Sequence, residues 1–98
     1  NPFVLCAWPS FADQPYINNY RVYDDRVGET TRFTYRPEHE WYWIPQQRPD
    51  EVSMLKCYDS VCDGSVSRWS FHSACIDPTA PADARCRKNV VVRAFVFF

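Results

Sequence analysis

Apolar and polar positions alternate with a period of two in six stretches of the chain: Ile17 to Tyr23, Thr30 to Tyr35, Glu40 to Ile44, Val52 to Tyr58, Ser67 to Cys75 and Asn89 to Phe98. Each is rich in β-branched or aromatic residues, and turn chemistry separates them at Asp24-Asp25, Arg36-Pro37, Arg48-Pro49-Asp50 and Asp63-Gly64. No ten-residue window carries a helical stripe, and eight prolines interrupt most attempts at one. The pattern predicts a mainly β, antiparallel chain, a sandwich or a partial barrel.

Alternation also assigns faces. From Val52 onward, Val52, Met54, Lys56 and Tyr58 share one face, which sets Lys56 in apolar company. In the last stretch Val90, Val92, Ala94, Val96 and Phe98 face one way, and Val91, Arg93, Phe95 and Phe97 the other. Both faces are oily, the signature of a strand covered on both sides, and Arg93 is the one charge on its face. A guanidinium stripped of water costs several kcal/mol unless an anion meets it. The partner is a protein carboxylate, or solvent if the strand is an edge, or the carboxylate of a ligand held by two parallel hydrogen bonds.

Two histidines are present. His72 precedes a run of small residues and an Asp77-Pro78 turn, with Arg93 one strand later, which makes it a candidate metal ligand. His39, within Pro37-Glu38-His39-Glu40, reads as a polar turn residue. Trp41, Trp43 and Trp69 are either core or an exposed platform for a glycan or a protein partner.

With 98 residues the chain makes one small domain. The net charge of −1, with Arg and Lys scattered among acids, excludes a basic face for nucleic acid. No apolar stretch approaches the roughly 20 residues of a membrane span. Five cysteines, Cys6, Cys57, Cys62, Cys75 and Cys86, cannot all pair within one molecule, so free thiols and a soluble, cytoplasmic setting are expected. A zinc site drawing on Cys57, Cys62, His72, Cys75 and Cys86 lacks the usual paired spacing. The single methionine is internal, Met54, and the chain begins within an extended segment, which reads as a fragment. No Gly-rich phosphate loop or nucleophile elbow appears, which removes nucleotide and hydrolase readings.

Five segments in order, Tyr23-Asp24-Asp25-Arg26-Val27-Gly28-Glu29-Thr30, Trp41-Tyr42-Trp43-Ile44-Pro45, Arg48-Pro49-Asp50-Glu51 with Leu55-Lys56-Cys57-Tyr58-Asp59-Ser60, Phe71-His72-Ser73-Ala74-Cys75-Ile76-Asp77-Pro78 and Val92-Arg93-Ala94-Phe95-Val96-Phe97-Phe98, carry a resemblance. Together they resemble the C-terminal part of the fungal and bacterial hydroxylase/desaturase family that includes gibberellin desaturase and a cephalosporin methoxylation protein. The resemblance implies a non-haem iron, 2-oxoglutarate-dependent oxygenase acting on a small secondary metabolite. It also implies that residues 1–98 are the C-terminal part of a double-stranded β-helix, a jelly-roll-like barrel, incomplete here. His72 would then be the distal histidine of a two-His, one-carboxylate iron triad, and Arg93 would hold the far carboxylate of 2-oxoglutarate. Lys56 and Tyr42 would line the pocket. The family's first two ligands, an upstream His-x-Asp, have no counterpart in this chain, and its usual Thr and Phe after the histidine are Ser73 and Cys75. Fe(II) and 2-oxoglutarate are therefore expected in an intact parent, with no tight binding and no activity for this chain alone. A non-catalytic β-sandwich module that binds a glycan or a protein partner is the alternative.

Overall fold

Phe3-Val4-Leu5-Cys6 is a short, continuous apolar run, and in the computed structural model, which describes residues 1–97, it becomes the central strand of a three-stranded antiparallel sheet. Strand β1 (Phe3–Cys6) is followed by a 3-10 turn at Trp8–Ser10, then β2 (Ile17–Val22), β3 (Val27–Arg32), β4 (Trp41–Tyr42) and β5 (His72–Ala74). The first sheet has the order β4-β1-β5, and β2 and β3 form a separate antiparallel hairpin. The fold is mainly β, as predicted, and no closed barrel forms among the described residues.

Local chemistry explains the placement of β4. Pro9 favours the tight 3-10 turn directly after β1. The Ser10 hydroxyl donates to the Ala7 carbonyl at 2.7 Å and accepts the Glu40 backbone N–H at 3.1 Å. The Ala7 N–H in turn donates to the Glu40 carbonyl at 2.8 Å, so Glu40 delivers β4 to the edge of β1. On the other edge, the Cys6 N–H bonds the Phe71 carbonyl and the Cys75 N–H bonds the Pro2 carbonyl, which extends the β1–β5 ladder beyond both ends of β5.

The first arm of the hairpin falls where alternation places it, and the second runs over Val27–Arg32, three residues ahead of the predicted Thr30 to Tyr35. Val22 pairs with Val27, and the Tyr23 N–H closes the intervening turn on the Arg26 carbonyl at 2.9 Å. Arg26 lies over the Tyr23 ring and pairs with Asp25, both exposed, an ion pair of little energetic weight. A two-stranded ribbon is marginal alone. It is anchored at its open end, where Tyr16 and Phe33 continue into the aromatic core.

That core is small. Val4, Cys6 and Phe11 are the buried hydrophobic residues, joined by the buried Gln14. Around them Phe71 touches the rings of Phe11, Phe33 and Trp41 at centroid distances of 5.5, 4.4 and 5.2 Å.

Two predicted strands do not form. Residues 52–58 form no strand; Lys56 meets Ser70, two residues before β5, its backbone N–H on the Ser70 hydroxyl and its carbonyl on the Ser70 N–H. Residues 89–97 of the predicted last strand are unpaired and exposed, with Val90, Phe95 and Phe97 each at least 90% accessible; Phe98 lies outside the described residues. A strand oily on both faces forms only when a neighbour supplies its ladder and two layers cover it, and here neither is in place.

The exposed surface is correspondingly large. An 11.6 kDa chain folded into a complete domain exposes on the order of 5,800 Å², whereas this one exposes 9066 Å². The radius of gyration, 15.6 Å, likewise exceeds the roughly 13 Å of a compact chain of this length.

Candidate functional site

In β1 the side chains alternate between two environments. Val4 and Cys6 point to the aromatic core, and Phe3 and Leu5 to the opposite, open face. Leu5 pairs with Tyr42 on one side and with His72 on the other. Tyr42, Leu5 and His72 therefore form one row across the sheet, with Tyr42 and His72 about 10 Å apart at the usual strand spacing. The structure thus brings two of the four sequence-predicted site residues onto a common surface, and both are exposed. Next to them Phe3, Leu5, Tyr42, Trp43, Ile44, Gln47 and Ser53 line a shallow hollow of about 100 Å³.

His72 is oriented. Its Nδ1 lies 2.7 Å from the Ser70 carbonyl, a group that can only accept, so in the neutral ring Nδ1 carries the proton and Nε2 keeps its lone pair. The Phe3 ring packs at 5.4 Å and holds the imidazole plane. A ring tied in this way to a backbone carbonyl presents its other nitrogen as an acceptor.

The other two predicted residues lie elsewhere. Lys56 forms an ion pair with Asp59 one turn away and lines neither hollow described here. Arg93, expected inside an oily strand, is exposed on the unpaired segment 89–97. The guanidinium found beside this face is Arg87, 5.8 Å from the centre of the Phe3 ring, a residue that no periodicity marks.

Three aspartates brace turns, Asp63 exposed and Asp59 and Asp77 half-buried. The Asp59 carboxyl is held below its ordinary value by the Lys56 ammonium and the Val61 N–H, Asp63 by the Ser65 hydroxyl and N–H, and Asp77 by the Thr79 hydroxyl and N–H. Because each is lowered in the folded chain, its stabilisation is present above the unfolded value near 3.8 and is lost as pH falls through the folded one. These acids are structural.

On the core side of β1 and β5 lies a larger hollow of about 640 Å³. Trp41 and Trp43 line it, and so does His39, whose N–H closes a turn on the Arg36 carbonyl. Trp69 stands apart, packed edge-on against Tyr16 at 5.1 Å. His39 Nε2 is hydrogen-bonded to the buried Gln14, whose amide also reaches the Thr34 carbonyl and hydroxyl. The contact spans 25 residues of sequence, so no local signal announces it.

Comparison with known proteins completes the description. A family model described as an oxidoreductase/YMDC permease-like domain matches residues 1–97. The chain belongs to that family. Within the oxidoreductase-like family, its curated relatives are fungal hydroxylase/desaturases and 2-oxoglutarate-dependent dioxygenases. It is 36% identical over 64 residues to a hydroxylase/desaturase of Aspergillus flavus, which aligns 65% of this chain with 28% of that protein. An α-ketoglutarate-dependent dioxygenase of Talaromyces stipitatus aligns with the whole chain at 27% identity, over 36% of its own length. The gibberellin cluster GA4 desaturase of Gibberella fujikuroi is 42% identical over 43 residues, 37% of this chain and 13% of that one. The chain thus spans little more than a third, at most, of the length of these relatives. No solved structure matches it.

What this family member can hold by itself follows from its donors. Among the described residues no three His, Cys, Asp or Glu side chains converge on one point. The cysteines are free thiols, Cys6 buried and Cys57, Cys62 and Cys86 exposed, which removes the zinc arrangement. A metal ion would find one prepared ligand, His72, where a facial triad needs three. No helix of the described residues is long and apolar enough to cross a membrane.

Proposed function

We propose that the chain is the C-terminal, β-rich part of an Fe(II)- and 2-oxoglutarate-dependent oxidoreductase that hydroxylates or desaturates a small secondary metabolite. The observation that carries the reading is His72: exposed on the open face, its Nδ1 tied to the Ser70 carbonyl and its Nε2 free for a metal. The names of the relatives supply the cofactors, and the bare surface supplies the reason for a larger whole.

In this reading the row Tyr42, Leu5, His72 is the inner wall of a jelly-roll barrel whose facing sheet lies in the rest of the protein. Iron held with 2-oxoglutarate would supply the oxygen-activating chemistry. The part of this chain is placement. His72 contributes one ligand, and Ser70 and Phe3 keep that ring in a single orientation. Segment 89–97, once laddered into the barrel, buries its two oily faces and turns Arg93 inward, where it anchors the far carboxylate of 2-oxoglutarate through paired charge-assisted hydrogen bonds. Tyr42 borders the substrate. The chain alone, with one ligand of three, does not fit iron, and no catalytic step is assigned to it.

The test is consumption of 2-oxoglutarate with added ferrous iron. The full-length gene product is expected to consume it, with the KM for 2-oxoglutarate raised at least about tenfold by Arg93→Leu, the worth of a lost charge-assisted hydrogen bond. The 98-residue chain is expected to consume none. Turnover by the short chain that disappears in His72→Ala would overturn the assignment of the missing ligands to the remainder of the protein.

A further inference from the structure

We propose that the hollow on the core side of β1 and β5, across the sheet from His72, is a binding site for a planar aromatic carboxylate that also carries a hydrogen-bond donor such as a phenolic hydroxyl. The proposal rests on the hollow alone and is independent of the iron reading.

Size and walls come first. About 640 Å³ lies within the range of small-molecule sites. The walls are rings from three separate parts of the chain, Phe33 and Tyr35 after β3, Trp41 and Trp43 at β4, and Phe71 before β5. Rings brought together in a concavity offer offset and edge contacts to a flat π-system, and a concave surface disfavours the flat face of a macromolecule.

Two polar groups then specify the ligand. Arg32 is the one charged side chain in the lining, and among the described residues it enters no ion pair. An exposed guanidinium at the rim of an aromatic hollow is complementary to a single carboxylate. His39 supplies the second contact, through a deduction about its protons. The Thr34 carbonyl can only accept, so the Gln14 atom bonded to it is the amide Nε2, and Gln14 Oε1 therefore faces His39. Oε1 can only accept in turn, so His39 Nε2 carries the proton, and in the neutral ring Nδ1 is left as an acceptor. The other ring neighbours of His39, namely Tyr35, Trp41 and Phe71, all line the hollow. A buried glutamine thus fixes a histidine to receive a hydrogen bond at an open, aromatic-lined hollow, while Arg32 stands ready for an anion.

Calorimetric titration of the 98-residue chain with 6-hydroxy-2-naphthoate, 2-naphthoate and 2-naphthol tests each contact separately. The hydroxy acid is expected to bind one to one. 2-Naphthoate, which lacks the donor, and 2-naphthol, which lacks the anion, are each expected to bind several-fold more weakly. Arg32→Gln is expected to weaken the hydroxy acid about tenfold and to leave 2-naphthol unchanged. Because Arg32 is exposed, this variant tests the charge without touching the core. Absence of saturable one-to-one binding, equal affinity for 2-naphthol and the hydroxy acid, or an unchanged affinity in Arg32→Gln would each overturn the proposal.

Discussion

Replacing His72 by alanine in the full-length gene product is expected to abolish 2-oxoglutarate consumption and to weaken Fe(II) binding by more than the roughly 10- to 100-fold that loss of an outer-shell partner costs. The size of the effect follows from ligand count. A triad reduced to two protein donors holds the ion loosely and no longer fixes which coordination positions stay open. The fold should not suffer, because His72 is exposed and its one side-chain hydrogen bond is to the carbonyl of Ser70, on its own segment. Unchanged circular dichroism with lost metal affinity is therefore the expected pair of results. Ser70 offers a control of a different kind: its backbone carbonyl, not its hydroxyl, orients His72, so Ser70→Ala should keep metal affinity while removing the hydroxyl contact to the Lys56 N–H. Retention of full Fe(II) affinity in His72→Ala, measured by calorimetry, would remove the ligand assignment.

Phe71→Ala is expected to cost about 3 kcal/mol, the low end for removal of a buried phenylalanine, because Phe71 is only half-buried. In a well-covered domain that loss is tolerable. Here it falls on a core of three buried hydrophobic residues, and the Phe71 ring is the one that joins Phe11, Phe33, His39 and Trp41. Domains of this size have about 5–15 kcal/mol in hand, and the excess exposed surface puts this chain at the lower end. Urea titration of the 98-residue chain should show the midpoint falling by more than half, with a weakened aromatic near-ultraviolet signal. A change below about 1 kcal/mol would mean that the rings do not form the core described here.

The first arm of the hairpin was legible because its determinants are local, alternation from Ile17 and a turn at Asp24-Asp25. The second arm starts at Val27, three residues ahead of the predicted Thr30, because the register that the turn dictates overrides the weak pattern of Val27-Gly28-Glu29. Tyr42 and His72 were marked by the family resemblance, and their meeting in one row was not readable from the sequence, because it depends on both pairing with Leu5 of β1. Strand β1 was harder to see. A four-residue apolar run carries no periodicity, and its role as the centre of the sheet depends on Glu40 and Phe71, far along the chain. His39 closes a turn on the Arg36 carbonyl, as its polar neighbours suggest, but its contact with the remote Gln14 could not be read from them. The predicted strands at residues 52–58 and 89–97 fail for another cause. Their pattern is that of covered strands, but pattern specifies a demand for partners and does not provide them. Arg93 inherits that outcome, exposed where its strand would bury it.

The family expectation and the structure meet at one ring. If His72 is an iron ligand, its Nε2 must be the atom that binds. Nitrogen-15 spectra of histidine-labelled full-length protein, titrated with Co(II) in place of iron, examine that atom directly. The account predicts that metal-free His72 carries its proton on Nδ1 and that the metal displaces the Nε2 resonance of His72 while leaving that of His39 in place. Metal bound at full stoichiometry with the His72 resonances unmoved would contradict it.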